Sequence, residues 1–382
     1  MIHTITGTFG TAIIYSPRLD EKAAQQIQEL TDSVLAKDAH IRIMPDYHAG
    51  AGCVIGTTMR IGNKVCPNLV GVDINCGLTA VNIGNQVPPL AEFDSYLRKN
   101  IPSGFNTHRK PALDKEQIDF WTEQLLSMKM SIDAKTMDTA LKSLGTLGGG
   151  NHFIELGRSK NSKDYWLVVH SGSRGIGNTT ASYHQDLAQC KNRGDVPKAL
   201  SYLMNSDLKD YQHDLAVMTG YANENRKQIL TIILQQCFAN PRGIADLETI
   251  TTVHNNITDG ILHKGAVLAP KGHRFLVPMN MADGILLCKG RGNPDWNSCA
   301  PHGAGRLYSR TKAKRELCMT EFEKAMEGVH TSSVLISTLD EAPMAYKAAN
   351  EIVEQIAPTA EIIDRLMPVY NFKDKGQRFR RR

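Results

Sequence analysis

Apolar and polar positions along the chain separate into two rhythms. Between Glu21 and Ala36 the residues Ile27, Leu30 and Val34 recur at three- to four-residue intervals, which predicts an amphipathic surface helix. Lys115 to Met130 repeats the pattern with Trp121, Leu125 and Met128 on one side, so the stretch from Asp94 to Leu144 reads as helical scaffold. Short apolar or β-branched runs predict strands at Ile41–Ile43, Asn68–Val72, Trp166–Val169 and Thr249–Val253. Each of these runs ends in residues that carry chemistry.

The Asn68–Val72 run delivers Asp73 and Cys76 between Gly71 and Gly77. A buried carboxylate beside a buried thiolate is costly unless a cation accommodates both. The Ile41–Ile43 run leads into a glycine-dense loop with Asp46 and His48. Gly148-Gly149-Gly150 precedes Asn151, His152 and Glu155, which offer an amide, an imidazole and a carboxylate. Trp166–Val169 ends in His170 and a small-residue loop with Arg174 that resembles an anion cradle, and Thr249–Val253 ends in His254 and Asn255.

Any one of these histidines reads most simply as a satisfied polar residue, but three of them with Asp73 and Cys76 make five ligand-type groups. That number suffices for two metal ions if the thiolate bridges, with Asp73 and His152 completing one site and His170 and His254 the other. Mixed oxygen, nitrogen and sulfur donors fit Mn²⁺, Zn²⁺ or Fe²⁺. Further on, His302-Gly303-Ala304-Gly305-Arg306 precedes a helix expected to run to about Met326. Backbone N–H groups there could hold a phosphate with Arg306 beside it, and His302 could attack phosphorus through a neutral ring nitrogen.

Composition changes this picture little. The 382 residues are 41% hydrophobic and 22% charged, an ordinary soluble balance, with no apolar run long enough to span a bilayer and no signal peptide, so a cytoplasmic location is expected. Eight cysteines without CxxC pairing argue against a disulfide framework or a zinc ribbon. The net charge of +5 permits an anionic partner, and the basic tail Gly376–Arg382 could add phosphate contacts. No internal repeat, low-complexity linker or domain boundary interrupts residues 1–382, which are expected to form a single domain.

Taken together and in order, Met44-Pro45-Asp46-Tyr47-His48, Gly71–Gly77, Leu147–Phe153, Val169–Gly175, His254-Asn255 and His302–Arg306 resemble the RtcB RNA ligases over almost the whole chain. That resemblance implies an α+β fold, a β-sandwich-like core wrapped by helices with a dinuclear metal cleft. It implies joining of an RNA 3′-phosphate or 2′,3′-cyclic phosphate to a 5′-hydroxyl in RNA repair or tRNA splicing, with GTP and two Mn²⁺ per chain. It also implies that Cys76 bridges the two ions, with Asp73 and His152 on one and His170 and His254 on the other, and that His302 takes GMP. Asn151, Glu155, Asn255, Gly303, Ala304, Gly305, Arg306, Tyr346 and Lys373 then match positions that hold the guanylate. The expected partner is RNA with broken tRNA or rRNA ends, beside a release-factor-like protein and no membrane.

Two departures stand out. Pro278–Gly284 replaces the family's usual Pro-Gly-Ser-Met-Gly loop, and Asn75 replaces the usual glycine before Cys76. Two other functions compete with the ligase. A metal-dependent RNA phosphodiesterase or end phosphatase would need no nucleotide-accepting histidine, and an RNA-binding protein with a structural metal would have a closed coordination shell.

Overall fold

Two large sheets carry the chain, and the ends of their strands decide where the chemistry gathers. The computed structural model describes residues 2–194, 196–240 and 242–376. Strands Thr249–Val253, Gly77–Asn82, Tyr165–Ser171, Phe153–Ser159, Ala360–Phe372, Ile285–Gly290 and Arg274–Pro278 lie side by side in that order, all paired antiparallel. The second sheet runs His3–Thr6, Thr11–Ile14, Ile41–His48, Ile55–Arg60, Ile261–Lys264, Asn255–Thr258. Near-continuous apolar runs such as Trp166–Val169 are buried throughout, as strands covered on both faces must be. The fold is α+β, as expected.

Because neighbouring strands alternate in direction, two strand starts and two strand ends fall on one edge of the larger sheet. Val253 pairs with Gly77, Gly77 with Ser171, and Phe153 with His170. Cys76, His152, His170 and His254 are thereby brought together, though they span nearly half the chain.

The 33-residue helix Asn205–Cys237 crosses behind this edge. Its Arg226 is fully buried and donates to the carbonyls of Asn75 and Ser171, to Thr79 Oγ1 and to Asn223 Oδ1. The loop before Cys76 is thus tied to the strand that bears His170. Among the described residues no helix is long and apolar enough to cross a membrane.

Five expected elements differ. Asp46 and His48, expected in a glycine-dense loop, lie inside the strand Ile41–His48, and the loop begins only after it. The run expected as strand Asn68–Val72 is instead a 3₁₀ turn, Pro67–Leu69, and the strand begins only after Cys76, at Gly77. Pro67 at the first helical position favours the turn, and local apolarity could not distinguish the two. The first helix stops at Thr31, where Ser33 caps a separate turn Val34–Ala36. The helix from Lys115 ends at Leu126, not Met130, and Asp214 takes the N–H groups of Lys129 and Met130. The helix after Ser309 breaks at Leu317-Cys318 into Arg310–Glu316 and Met319–Ala325.

Candidate functional site

Cys76 stands at the centre of the cluster, its Sγ 3.4 Å from His152 Nε2 and 3.3 Å from His170 Nε2. On one side His152 Nε2 lies 2.9 Å from Asp73 Oδ2, and on the other His170 Nε2 lies 3.2 Å from His254 Nε2. Two three-residue groups of ligand atoms result, Asp73 with Cys76 and His152, and Cys76 with His170 and His254, and the thiol belongs to both. Backbone carbonyls fix two of the rings, Leu147 O at His152 Nδ1 (2.9 Å) and Asn151 O at His170 Nδ1 (3.2 Å), so the Nε2 atoms face one another.

The electrostatics of the cluster call for a cation. Burial, and next the Asp73 carboxylate, push the Cys76 thiol well above its ordinary range. Burial, then the neighbouring imidazoles, hold His170 and His254 well below theirs, so both rings are neutral and able to coordinate. Burial works against ionised Asp73, yet its hydrogen bond to His152 and the charges of His152 and Arg174 outweigh it and hold the carboxyl at about 2. Asn75, in place of glycine, adopts φ +54°, a conformation asparagine tolerates, and its side chain bonds Thr219 O, Asn223 and Asn256. The departure at this position preserves the turn.

His302 sits beside the cluster, its ring centroid 4.9 Å from that of His254. Its Nδ1 is 2.7 Å from Asp46 Oδ2, and the same oxygen accepts the N–H groups of His302 and Gly303. The wholly buried Asp46 therefore fixes the turn and sets a carboxylate oxygen against Nδ1 of the ring, which leaves Nε2 as the nitrogen to react. At Gly305 (φ +71°) a Cβ would lie 2.3 Å from the Asp46 carbonyl oxygen, so only glycine lets this loop approach the strand Ile41–His48. His48 is pushed down to about 4 by burial and by His302, whose ring centroid is 6.4 Å away.

Arg306, Tyr346 and Lys373 meet at a buried carboxylate that no periodicity marked. Glu341 accepts from Arg306 Nη1 (3.2 Å), Arg310 Nη1 (2.8 Å), Tyr346 OH (2.7 Å) and Lys373 Nζ (3.0 Å). Burial opposes its charge, but Lys373, Arg310 and Arg306 prevail and hold it at about 2. Lys373 also reaches Asn151 O at 3.3 Å. Glu155 differs: burial pushes it up to about 8 against the hydrogen bond from Asn371 and the charge of Lys373.

Asn255 stays close to the cluster, its Nδ2 donating to Asp73 O and its Oδ1 accepting from Gly265 N. Arg174, in the left-handed region at φ +59°, is held by Thr146 Oγ1 and Gly104 O behind the triglycine turn, and Arg310 flanks the turn at Gly150. A cavity of about 920 Å³ joins these parts, lined by Cys76, His254, His302, Glu155, Lys373 and Glu341 among others.

Residues 26–374 match the family described as tRNA-splicing ligase RtcB. The chain belongs to the RtcB family. It is 32% identical to the RNA-splicing ligase RtcB of Escherichia coli K12 and 31% identical to an Escherichia coli RtcB1, in each case over 86% of this chain and 89% of the relative. The tRNA-splicing ligase RtcB of Aeropyrum pernix is 28% identical over 86% of both chains.

Of the site residues that the RtcB resemblance implies, all but His152 line this cavity, and His152 stands behind it against Cys76 and Asp73. Sequence reasoning passed over Glu341, Asn371 and Arg226, and it left Asp46 without a role. An acidic pair directly before Ala342-Pro343 was the available signal for Glu341. The departing loop Pro278–Gly284 is closed on itself, because Asn280 Oδ1 takes the N–H groups of Ala282 and Asp283 and those donors are not free for a phosphate. The basic residues 378–382 lie outside the described residues.

Proposed function

We propose that this protein is a GTP-dependent RNA ligase that joins an RNA 3′-phosphate, or a 2′,3′-cyclic phosphate once opened, to a 5′-hydroxyl. The observation that carries the reading is a thiol shared by two ligand groups, with an oriented histidine beside it. The donors suit two divalent ions, which we take to be Mn²⁺, with Asp73, Cys76 and His152 holding one and Cys76, His170 and His254 the other. Bound there, such ions would withdraw charge from phosphoryl oxygens and favour ionisation of an attacking hydroxyl.

Asp46 keeps His302 Nδ1 occupied, and Nε2 attacks the α-phosphorus of GTP, forming a P–N bond while pyrophosphate leaves. The GMP then passes to the RNA 3′-phosphate, freeing His302. Attack of the 5′-hydroxyl on that activated phosphorus expels GMP and leaves the original 3′-phosphate as the junction. Arg310, which lines the cavity beside Gly150, holds the terminal phosphate, and Arg174 braces the triglycine turn from behind. Asn151, Glu155, Asn255, Arg306, Tyr346, Lys373 and the Gly303–Gly305 backbone serve the guanylate.

The test offers two labelled RNA pairs in GTP and Mn²⁺: 3′-phosphate with 5′-hydroxyl, and 3′-hydroxyl with 5′-phosphate. Only the first pair should be sealed, and an acid-labile, alkali-stable guanylate should appear on the protein and vanish in His302→Ala with metals still bound. Sealing of the second pair, or loss of the 3′-phosphate without joining, would replace this reading with that of a different ligase or a hydrolase.

A further inference from the structure

Two buried oxygens in the cavity wall have no partner within the protein. Glu155 and Asn371 are directly opposed across neighbouring strands, and they are 2% and 1% exposed. Asn371 Nδ2 donates to Glu155 Oε2 at 2.8 Å. A carboxylate oxygen accepts, so the amide presents its nitrogen to Glu155 and its oxygen elsewhere. Glu155 Oε1 and Asn371 Oδ1 are then left as unpaired acceptors, and both residues line the cavity. Lys373, two positions beyond Asn371, adds a donor that lines the same cavity and reaches Glu341 and Asn151 O.

Buried unpaired acceptors are costly, and a site that leaves them so is complete only with a donor-bearing ligand. The pattern required is two adjacent donors followed by an acceptor. Guanine's pairing edge has it, with the 2-amino group, N1–H and O6 in a row. Adenine presents an acceptor at N1, and hypoxanthine lacks the 2-amino group.

We propose that Asn371 is a specificity-determining residue that accepts a hydrogen bond from the 2-amino group of guanine, while Glu155 accepts from N1–H. The inference rests on the nucleotide reading above and refines it. The cross-strand hydrogen bond makes the two readers one unit, since Glu155 holds the amide in the orientation that exposes Oδ1. Recognition of guanine is thereby divided between two strands of one sheet.

The experiment measures kcat/KM for covalent labelling of His302 with GTP, ITP and ATP, using the metal-loaded protein. The wild type should favour GTP over ITP by about 10-fold, the usual consequence of leaving one buried acceptor unpaired, and ITP over ATP. Asn371→Leu should lose most of its rate with GTP, bringing the GTP-to-ITP ratio close to one while ITP stays ahead of ATP. Equal use of GTP and ITP by the wild type overturns the proposal without any variant. An unchanged GTP-to-ITP ratio in Asn371→Leu, or in Asn371→Ser should the leucine protein not fold, also overturns it. Labelling by ATP as fast as by GTP would instead remove the guanine-nucleotide reading beneath it.

Discussion

Replacing Glu341 by glutamine keeps the shape of the side chain and removes the charge on which Arg306, Arg310 and Lys373 converge. The carboxyl lies at about 2 in place of its ordinary 4.5 and is only 3% exposed, so solvent screens it little. At about 1.4 kcal/mol per pKa unit, the fold favours the ionised form by about 3 kcal/mol. Lys373, 5% exposed, would lose its only carboxylate among the described residues, a loss of the kind that costs about 3–5 kcal/mol. Urea titrations of metal-free protein in chelator should therefore show Glu341→Gln less stable by about 3 kcal/mol at pH 7, with an unchanged slope. Metal is removed because an ion bound only to the native state adds its own stabilisation. The folded carboxyl titrates below the unfolded one, so its contribution is complete above about pH 5 and declines as the pH falls towards 2, reaching about 2 kcal/mol at pH 3.5. A deficit below about 1 kcal/mol at pH 7, or one that grows in acid, would refute the assignment of Glu341 as the charge that holds these cations.

Cys76→Ser should lose both metals and nearly all sealing, whereas the exposed Cys190 can become serine with little effect; two Mn²⁺ per purified Cys76→Ser chain, counted by elemental analysis, would end the bridging assignment. Asp46→Asn should slow guanylation of His302 by about 100-fold or more, the scale of an incorrectly oriented catalytic imidazole, while bound metal is unchanged; near-normal labelling would show that Asp46 does not orient the ring. Glu155 lies at about 8 without ligand, and accepting a ligand N–H favours its ionised form. Affinity for GMP should thus fall by about tenfold per pH unit below 8 in equilibrium binding, and a flat profile from pH 6 to 8 would show that the carboxylate does not meet the ligand.

The metal-type residues could be read from the sequence because each stands beside a short apolar strand, His170 and His254 at strand ends, Cys76 and His152 just before strand starts. His152, His170 and His254 stood out on that pattern, and Cys76 with Asp73 did so even though the strand was expected on the wrong side of them. What the sequence withheld was pairing at a distance. Nothing near Asp46 announces that its carboxylate serves His302, 256 positions on. Glu341 and Asn371 were hidden for the same reason, since the partners of each come from separate segments. Helix ends failed where a side chain from elsewhere decided them, as Asp214 does at Lys129-Met130. The left-handed turn at Asn75 was visible only as a departure, and its three hydrogen bonds explain why asparagine serves there.

The strand Ala360–Phe372 lies inside the larger sheet, between Phe153–Ser159 and Ile285–Gly290. During synthesis those two neighbours emerge from the ribosome long before the segment that must fit between them. Until residue 372 has been made, each keeps an unpaired edge of the kind that seeks other chains. A chain stopped short on a broken message would therefore have the imidazole cluster's residues but a gap in its sheet, and would be a substrate for proteolysis before it could act on RNA. Pairings of such sequence separation also close slowly, so maturation of this enzyme should follow translation and not accompany it.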